Sequence, residues 1–392
     1  MTSLIEEIPQ KVQLANLIEG LSLAVDLAEG KPLLHALNVT ILALRVAEKI
    51  GFSSEDKDTL YFAGLLHDIT ITSKDDLCPV CEAVKEYNLS PLVPSLMQAD
   101  TVIHSSRESW DGSGPNGFQG ERIPIASRIL SIIMSMDEHV GETQNCWLWQ
   151  ERVSAMLKAG SGRQFDPVLV NLVEELLKDQ RFYLDLFESE HNERISPFRP
   201  QGSILISGDL FSVLGKAFAI FIDNKSRYTA NHSQDVAHCA GNIATHLGLS
   251  EQSVRTIYLA GLLHDLGKVA IPNEILEKPG KLTEREYDLI KSHPYYTAFI
   301  LDKIPELRTV GFLASAHHER LDGSGYYLGR KGESLPQEAR LIAVADVYAA
   351  LAADRPYRKG MDPKEITKIM KKMAQIRHLD ADLVSIAIKS FE

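Results

Sequence analysis

Cysteine is scarce in this chain: there are four in 392 residues, and only Cys78 and Cys81 stand close enough to form a C-x-x-C. A zinc knuckle needs a second such pair and a dithiol oxidoreductase needs its strand and helix around the first, so these two, with Cys146 and Cys239, read as ordinary thiols. Long apolar runs are also missing. No stretch of about 18 apolar residues occurs, which leaves no candidate for membrane insertion as a helix. Positive charge is short as well, with 41 Lys and Arg against 53 Asp and Glu for a formal net charge of -12. A long nucleic-acid duplex or a membrane surface therefore finds no general attraction, although a local positive cleft can still take a small anion. The N-terminal MTSLIEEIPQ lacks the basic flank and apolar core of a signal peptide, so the expected setting is the cytoplasm.

Histidine and aspartate, by contrast, recur in a pattern. His232 is followed 32 residues later by the pair His264-Asp265, then by His293, the pair His317-His318 and Asp346. Neutral imidazoles and ionised carboxylates are donors that iron, manganese and zinc bind readily, and the two oxygens of one carboxylate can bridge two ions. The opening of this pattern occurs twice. His35 precedes His67-Asp68 by the same 32 residues, YFAGLLHD at 61–68 returns as YLAGLLHD at 258–265, and WDGSGP at 110–115 returns as LDGSGY at 321–326. IPIASRI at 123–129 answers LPQEARL at 335–341. Internal duplication into two domains, 1–195 and 200–392, is the simplest account.

The copies have not kept the same donors. With the His-Asp pairs in register, Leu96 answers His293 and Ile71 answers Lys268; aligned on the IP and LP steps, Met134 answers Asp346, with Asp137 about one turn beyond. The first copy keeps His35, His67, Asp68 and His104, enough donors for one ion but without the closing carboxylate of a two-metal centre.

Helical periodicity dominates both halves, and the expected fold class is all-α. Residues 32–50 place Leu34, Leu37, Ile41, Leu44 and Ala47 on one face before Gly51, and Val236, Ala240, Ile243, Ala244 and Leu247 do the same before Gly248. Ser250 can cap a helix running to about His264, and Thr283 with Glu286 forms a capping box for the helix that delivers His293. A further helical pattern runs from Pro167 to about Phe187, and Leu210, Leu214, Phe218 and Ile222 form an apolar stripe within 204–230. The best period-two run is Ser203 to Ser207, just after the Pro, Gly and Ser of the boundary at 194–203.

The second-half donors are too far apart in sequence to share one helix face, so helix ends and short turns must gather them. Asp265 is the best bridge between two ions, with His232 and Asp346 on one side and His293 with His317 or His318 on the other. Two ions about 3.5 to 4 Å apart can clamp the oxygens of a phosphodiester in the transition state, which points to hydrolysis of a phosphate ester. Taken singly, each residue has a duller reading: His293 can be a helix-end residue, and Asp346 can satisfy a buried arginine. Lys268 can meet a phosphate oxygen or stay solvated, and Arg355, Arg358 and Lys359 in DRPYRKG can grip a phosphate or pair with a core carboxylate. Tyr326 and Tyr327, in the glycine-rich turn LDGSGYY, can stack on a nucleobase or pack in the core.

The second half resembles the HD-GYP family of HD-domain metal-dependent phosphohydrolases. The resemblance rests on HS at 232–233, HDLGK at 264–268, HP at 293–294, HHERLDGSGY at 317–326, ARLIAVAD at 339–346 and DRPYR at 354–358, and it covers about 200–375. It implies two tandem HD-type helical domains, the second HD-GYP-like, and hydrolysis of cyclic di-GMP or a related cyclic dinucleotide to linear dinucleotide or mononucleotide. It also implies two or three divalent ions, iron or manganese, on His232, His264, Asp265, His293, His317, His318 and Asp346. Asp265 and Lys268 take the catalytic places, and Lys268, Tyr326, Arg355 and Arg358 the substrate-binding ones. Two positions depart from the family pattern: Tyr327 stands where it has proline, and Ala349 where it commonly has aspartate.

The first half is similar to the same family in a degenerate form, which implies a regulatory or dimerising role: a homodimer surface or a docking site for a signalling protein. A cyclic-dinucleotide receptor or protein-interaction module with little or no turnover is the alternative reading of the whole chain.

Overall fold

The computed structural model describes residues 12–69, 85, 90, 93–139, 146–184, 195–200, 205–206, 232–353 and 359–391. They divide into two compact units, one within 13–205 and the other within 206–392 together with Val12. Helices make up nearly all the regular structure; the sheet among the described residues is one pair of two-residue strands, Val12–Gln13 with Leu205–Ile206. The second of these falls within the period-two run expected at Ser203 to Ser207. The apolar stripe expected within 204–230, Leu210, Leu214, Phe218 and Ile222, lies outside the described residues.

Each unit opens its core with the same helical hairpin. In the first it is His35–Ile50 and Ser54–Leu66; in the second it is His232–His246 and Glu251–Leu263. The second helix of each hairpin is capped alike: the Ser53 hydroxyl accepts from the Asp56 amide, and the Ser250 hydroxyl from the Ser253 amide. The helices cross closely because of a glycine. A Cβ built on Gly64 would lie 2.5 Å from Thr40 Oγ1, and one built on Gly261 would lie 3.0 Å from the Ala237 Cα. This antiparallel contact sets the first residue of one helix, His35 or His232, beside the end of the next, where the His-Asp pair sits. The apolar side chains along the seam, among them Val236, Ile243 and Ile257, are wholly buried, each contributing about 1.5 to 3 kcal/mol over an exposed position.

The first hairpin helix begins at His35, three residues later than the pattern from 32 suggests. Leu34 adopts a left-handed φ of 69°, and the Asp26 carboxylate, reaching over from the helix Leu14–Ala28, accepts from the Ala36 amide in place of a local cap. The helix expected from Pro167 breaks after Leu176, and Asp179 caps a new turn, Gln180–Tyr183. The capping box of Thr283 and Glu286 is present and starts the helix Glu284–Ile290, which leads directly into His293–Asp302.

The duplication extends to ion pairs that close each unit. Arg128 Nη1 lies 2.6 Å from Asp166 Oδ2, and Arg340 pairs with Asp380. Both aspartates also cap the start of the next segment: Asp166 Oδ1 accepts from the Val168 amide and Asp380 Oδ1 from the Asp382 amide. Arg340 is the arginine that the segment ARLIAVAD carries, and its partner is Asp380, which leaves Asp346 to other neighbours.

Candidate metal centre

In the second unit five short stretches converge. His232 begins a helix, His264 and Asp265 end one, His293 begins another, His317 and His318 follow Arg308–Ser315, and Asp346 lies within Gln337–Ala352. Asp265 is central. Its Oδ2 lies 3.2 Å from His264 Nε2 and 4.0 Å from His232 Nε2, while its Oδ1 lies 3.3 Å from His293 Nε2 and 3.9 Å from His317 Nε2. Asp346 Oδ1 closes the first side, 3.2 Å from His232 Nε2 and 3.9 Å from His264 Nε2. His318 closes the other, its donor within 4.8 Å of those of His293 and His317.

Hydrogen bonds fix the rings. Nδ1 of His264, His293 and His317 meets the carbonyl of the residue three positions earlier, Gly261, Ile290 and Ala314, at 2.7, 2.6 and 2.6 Å. A carbonyl can only accept, so Nδ1 carries the proton and the lone pair of each neutral ring is left on Nε2, facing the centre. Nε2 of His293 and Nε2 of His317 stand 3.2 Å apart, an arrangement in which a shared electrophile suits both better than either suits the other. The chemistry of the donor set fits divalent metal ions in two groups, His232, His264 and Asp346 on one side, His293, His317 and His318 on the other, with Asp265 facing both.

The electrostatics agree. Burial pushes His293 down to about 3 and His318 to about 4, and holds His317 well below its ordinary value, so all three are neutral donors at neutral pH. Burial opposes ionisation of Asp265, yet His264 and Lys268 outweigh it and hold the carboxyl well below the usual range. Asp346 is likewise lowered against its burial, by the hydrogen bond with His232 and the charge of His264. Burial works against charge on His264 too, and Asp265 raises it.

Two features around the donors were not legible in the sequence. Thr297 Oγ1 accepts from the Gly267 amide at 2.8 Å and donates to the His264 carbonyl at 3.0 Å, bolting the HDLG turn to the helix that carries His293. Gly267 leaves no room for a side chain there, since a Cβ would lie 1.9 Å from the His293 carbonyl oxygen. Buried Glu319 accepts from the amides of Leu328, Gly329 and Arg330, setting the course of the chain after Tyr326 and Tyr327. The local spacing of HHE and GYY gives no sign of this contact, because it is made to backbone.

Lys268 Nζ lies 2.5 Å from Asp265 Oδ2 with its side chain 23% exposed, at the edge of the donor set. The Tyr326 ring lies 4.7 Å from that of His318. Arg355 and Arg358 lie outside the described residues.

The first unit repeats the arrangement in reduced form. His35 Nε2 lies 3.1 Å from His67 Nε2 and 3.1 Å from Asp68 Oδ2, and His67 Nδ1 donates to the Gly64 carbonyl. All three residues are buried, and Asp68 Oδ2 is a buried oxygen with no hydrogen bond of its own. They can hold one ion. His104 is not among this group; its Nδ1 faces the Asp100 carbonyl one turn back in the helix Pro94–Ser105. Asp137, one turn past the position answering Asp346, supplies what sequence alignment did not show, a carboxylate oxygen 2.5 Å from His35 Nδ1. Burial opposes protonation of His35, but the bond to Asp137 and the carboxylate of Asp68 beside it raise it to about 10, and Asp68 falls to about 2.

Comparison with known proteins gives the same outline. The HD domain model matches twice, over residues 22–169 and 216–383. A 3'3'-cGAMP-specific phosphodiesterase of Vibrio cholerae, phosphodiesterase 1, is 30% identical over 380 residues, 91% of this chain and 86% of that protein. Phosphodiesterase 3 of the same organism is 38% identical over 271 residues, 69% of this chain; the match takes in 58% of that relative's length. A crystal structure of a cyclic GMP-AMP specific phosphodiesterase from V. cholerae superposes over 97% of this chain and 98% of its own, with a TM-score of 0.72 and 26% identity. The chain belongs to the HD-domain family of metal-dependent phosphohydrolases, in its HD-GYP branch. No helix among the described residues is long and apolar enough to cross a membrane.

Proposed function

We propose that the second unit hydrolyses a phosphodiester bond of a 3',3'-cyclic dinucleotide, cyclic GMP-AMP or cyclic di-GMP, with His232, His264, Asp265, His293, His317, His318 and Asp346 holding two or three ions of iron or manganese. The observation that carries this reading is Asp265, whose two oxygens face two separate histidine groups. A single-ion site has no use for that division. The names of the long-matching relatives supply the substrate class.

Ions held by this donor set supply Lewis acidity toward phosphate and water. The chain's own groups do the rest. The backbone carbonyls behind His264, His293 and His317 hold the three Nδ1 protons, which leaves Nε2 of each ring as the atom that would meet an ion. Lys268 brings a positive charge to the rim, where it offsets charge on the phosphate; Arg355 and Arg358, outside the described residues, are the further cations this reading assigns to the phosphate. Hydrolysis forms a bond from water oxygen to phosphorus, breaks the bond from phosphorus to one sugar oxygen, and delivers a proton to that leaving oxygen. The product is a linear dinucleotide.

The first unit, read as the domain 1–195 ahead of a catalytic domain 200–392, acts as a regulator, through a homodimer surface or a signalling partner, in the cytoplasm. Its donor set lacks the His293, His318 and Asp346 equivalents that a second ion requires.

The test is product analysis by chromatography after anaerobic purification and loading with iron or manganese, with cyclic GMP-AMP and cyclic di-GMP as substrates. Wild type yields linear dinucleotide, and Asp265→Ala lowers turnover by more than about a hundredfold. Wild type without turnover on either substrate would replace this reading by the receptor, and equal turnover in the variant would move the chemistry elsewhere.

A further inference from the structure

The first unit gathers three donor atoms more tightly than the answering trio of the second. His35 Nε2 lies 3.1 Å from His67 Nε2 and 3.1 Å from Asp68 Oδ2, and His67 Nε2 lies 3.3 Å from Asp68 Oδ2. In the second unit the answering His232 Nε2 stands 4.0 Å from Asp265 Oδ2. Two donors bound to one ion at about 2.1 Å lie about 3.0 Å apart in octahedral geometry and about 3.4 Å apart in tetrahedral. All three spacings in the first unit therefore belong to a single coordination sphere. The residues are 4%, 3% and 3% exposed.

Hydrogen bonds alone do not account for this trio. His67 Nδ1 donates to the Gly64 carbonyl, and His35 Nδ1 is held by Asp137 Oδ2, which leaves both Nε2 atoms and Asp68 Oδ2 facing one another. A proton on His35 Nε2 can bond His67 Nε2 and so satisfy both imidazoles. Asp68 Oδ2 then keeps no hydrogen bond, a costly state for a buried carboxylate oxygen. One cation satisfies all three atoms at once. The surrounding charge favours it too: Asp26, bonded to the Ala36 amide from the helix Leu14–Ala28, and Asp137 bring the buried carboxylates to three, and buried carboxylates call for positive charge. We infer that the first unit holds one divalent first-row ion on His35 Nε2, His67 Nε2 and Asp68 Oδ2, with Asp137 orienting the His35 ring from behind. The ion is a fixture of the fold rather than a second reaction centre, since Ile71 and Leu96 stand where the second unit has Lys268 and His293. The site is independent of the hydrolysis proposed for the second unit.

Manganese per chain, measured by elemental analysis on full-length protein loaded anaerobically and freed of excess metal, tests this in wild type, Asp68→Ala, Asp265→Ala and the double variant. Asp68→Ala removes about one ion per chain in either background. With Asp265→Ala present, Asp137→Ala still fills at saturation but with a manganese Kd about 10- to 100-fold higher, the loss expected when the carboxylate behind a ligand is removed. Equal manganese in folded wild type and folded Asp68→Ala overturns the site and leaves the trio to a proton on His35. Should Asp68→Ala fail to fold, crystals of the manganese-loaded wild type decide: an anomalous peak within about 2.3 Å of all three atoms is the expected result, and its absence overturns the site.

Discussion

Asp265 faces four imidazoles with two oxygens, and its neighbours are held in place by residues whose roles are not written in any motif. Thr297 is the clearest of them, a buried hydroxyl that both accepts from Gly267 and donates to the His264 carbonyl. Replacing it with valine keeps the volume and strands a buried amide and a buried carbonyl. Thr297→Val is expected to cost about 1 to 3 kcal/mol in denaturant melts of the metal-free protein and to weaken metal retention. Ala349 is the converse case. The corresponding residue of the first unit, three positions after Met134, is Asp137, whose carboxylate holds His35 by Nδ1. Ala349→Asp offers His232 the same support, and the expected outcome is metal retained against a chelator about 10- to 100-fold more tightly, read by competition titration. That these seven imidazole and carboxylate side chains would gather was legible in the sequence, because side chains of these kinds in this number have little other common purpose. Their supports were not: Thr297 and Glu319 bond to backbone, and a threonine or glutamate that does so has no distinctive spacing.

At the scale of helices, the centre depends on a hairpin whose two helices touch through glycine and on a closing ion pair that joins the aspartate-bearing helix to the segment beyond it. Arg340 and Asp380 form that pair in the second unit, as Arg128 and Asp166 do in the first. Asp380→Ala removes a cap as well as the charge partner of a partly buried arginine, and a loss of about 1 to 3 kcal/mol by chemical denaturation is expected, with the metal ligands untouched. The hairpin was readable in advance because its apolar period, the Ser250 cap and the stops at Gly51 and Gly248 all agreed. The start at His35 was not, since the group that caps it, Asp26, lies on a different helix.

For the whole molecule, duplication followed by unequal loss is the main event. Both units keep the hairpin, the capped second helix, the arginine–aspartate pair and a histidine-histidine-aspartate group, whereas the middle and doubled histidines and the closing aspartate occur in the second alone. The loss is visible in the sequence, but the compensation is not: Asp137 turns what reads as a missing ligand into a support for His35. If metal is part of the folded second unit, chelation destabilises it by mass action. Removing metal is expected to lower the melting temperature by about 5 to 15 °C in differential scanning calorimetry, and Asp265→Ala to melt near the chelated wild type whether or not metal is added.

Anomalous diffraction at the manganese or iron edge, from crystals of anaerobically loaded protein, addresses the centre most directly. Two peaks about 3.5 to 4 Å apart, one between Asp265 and the group of His232, His264 and Asp346 and the other between Asp265 and the group of His293, His317 and His318, are the predicted result. A fully loaded crystal with no peak in contact with Asp265, or with a single ion that ignores one of its oxygens, would contradict it.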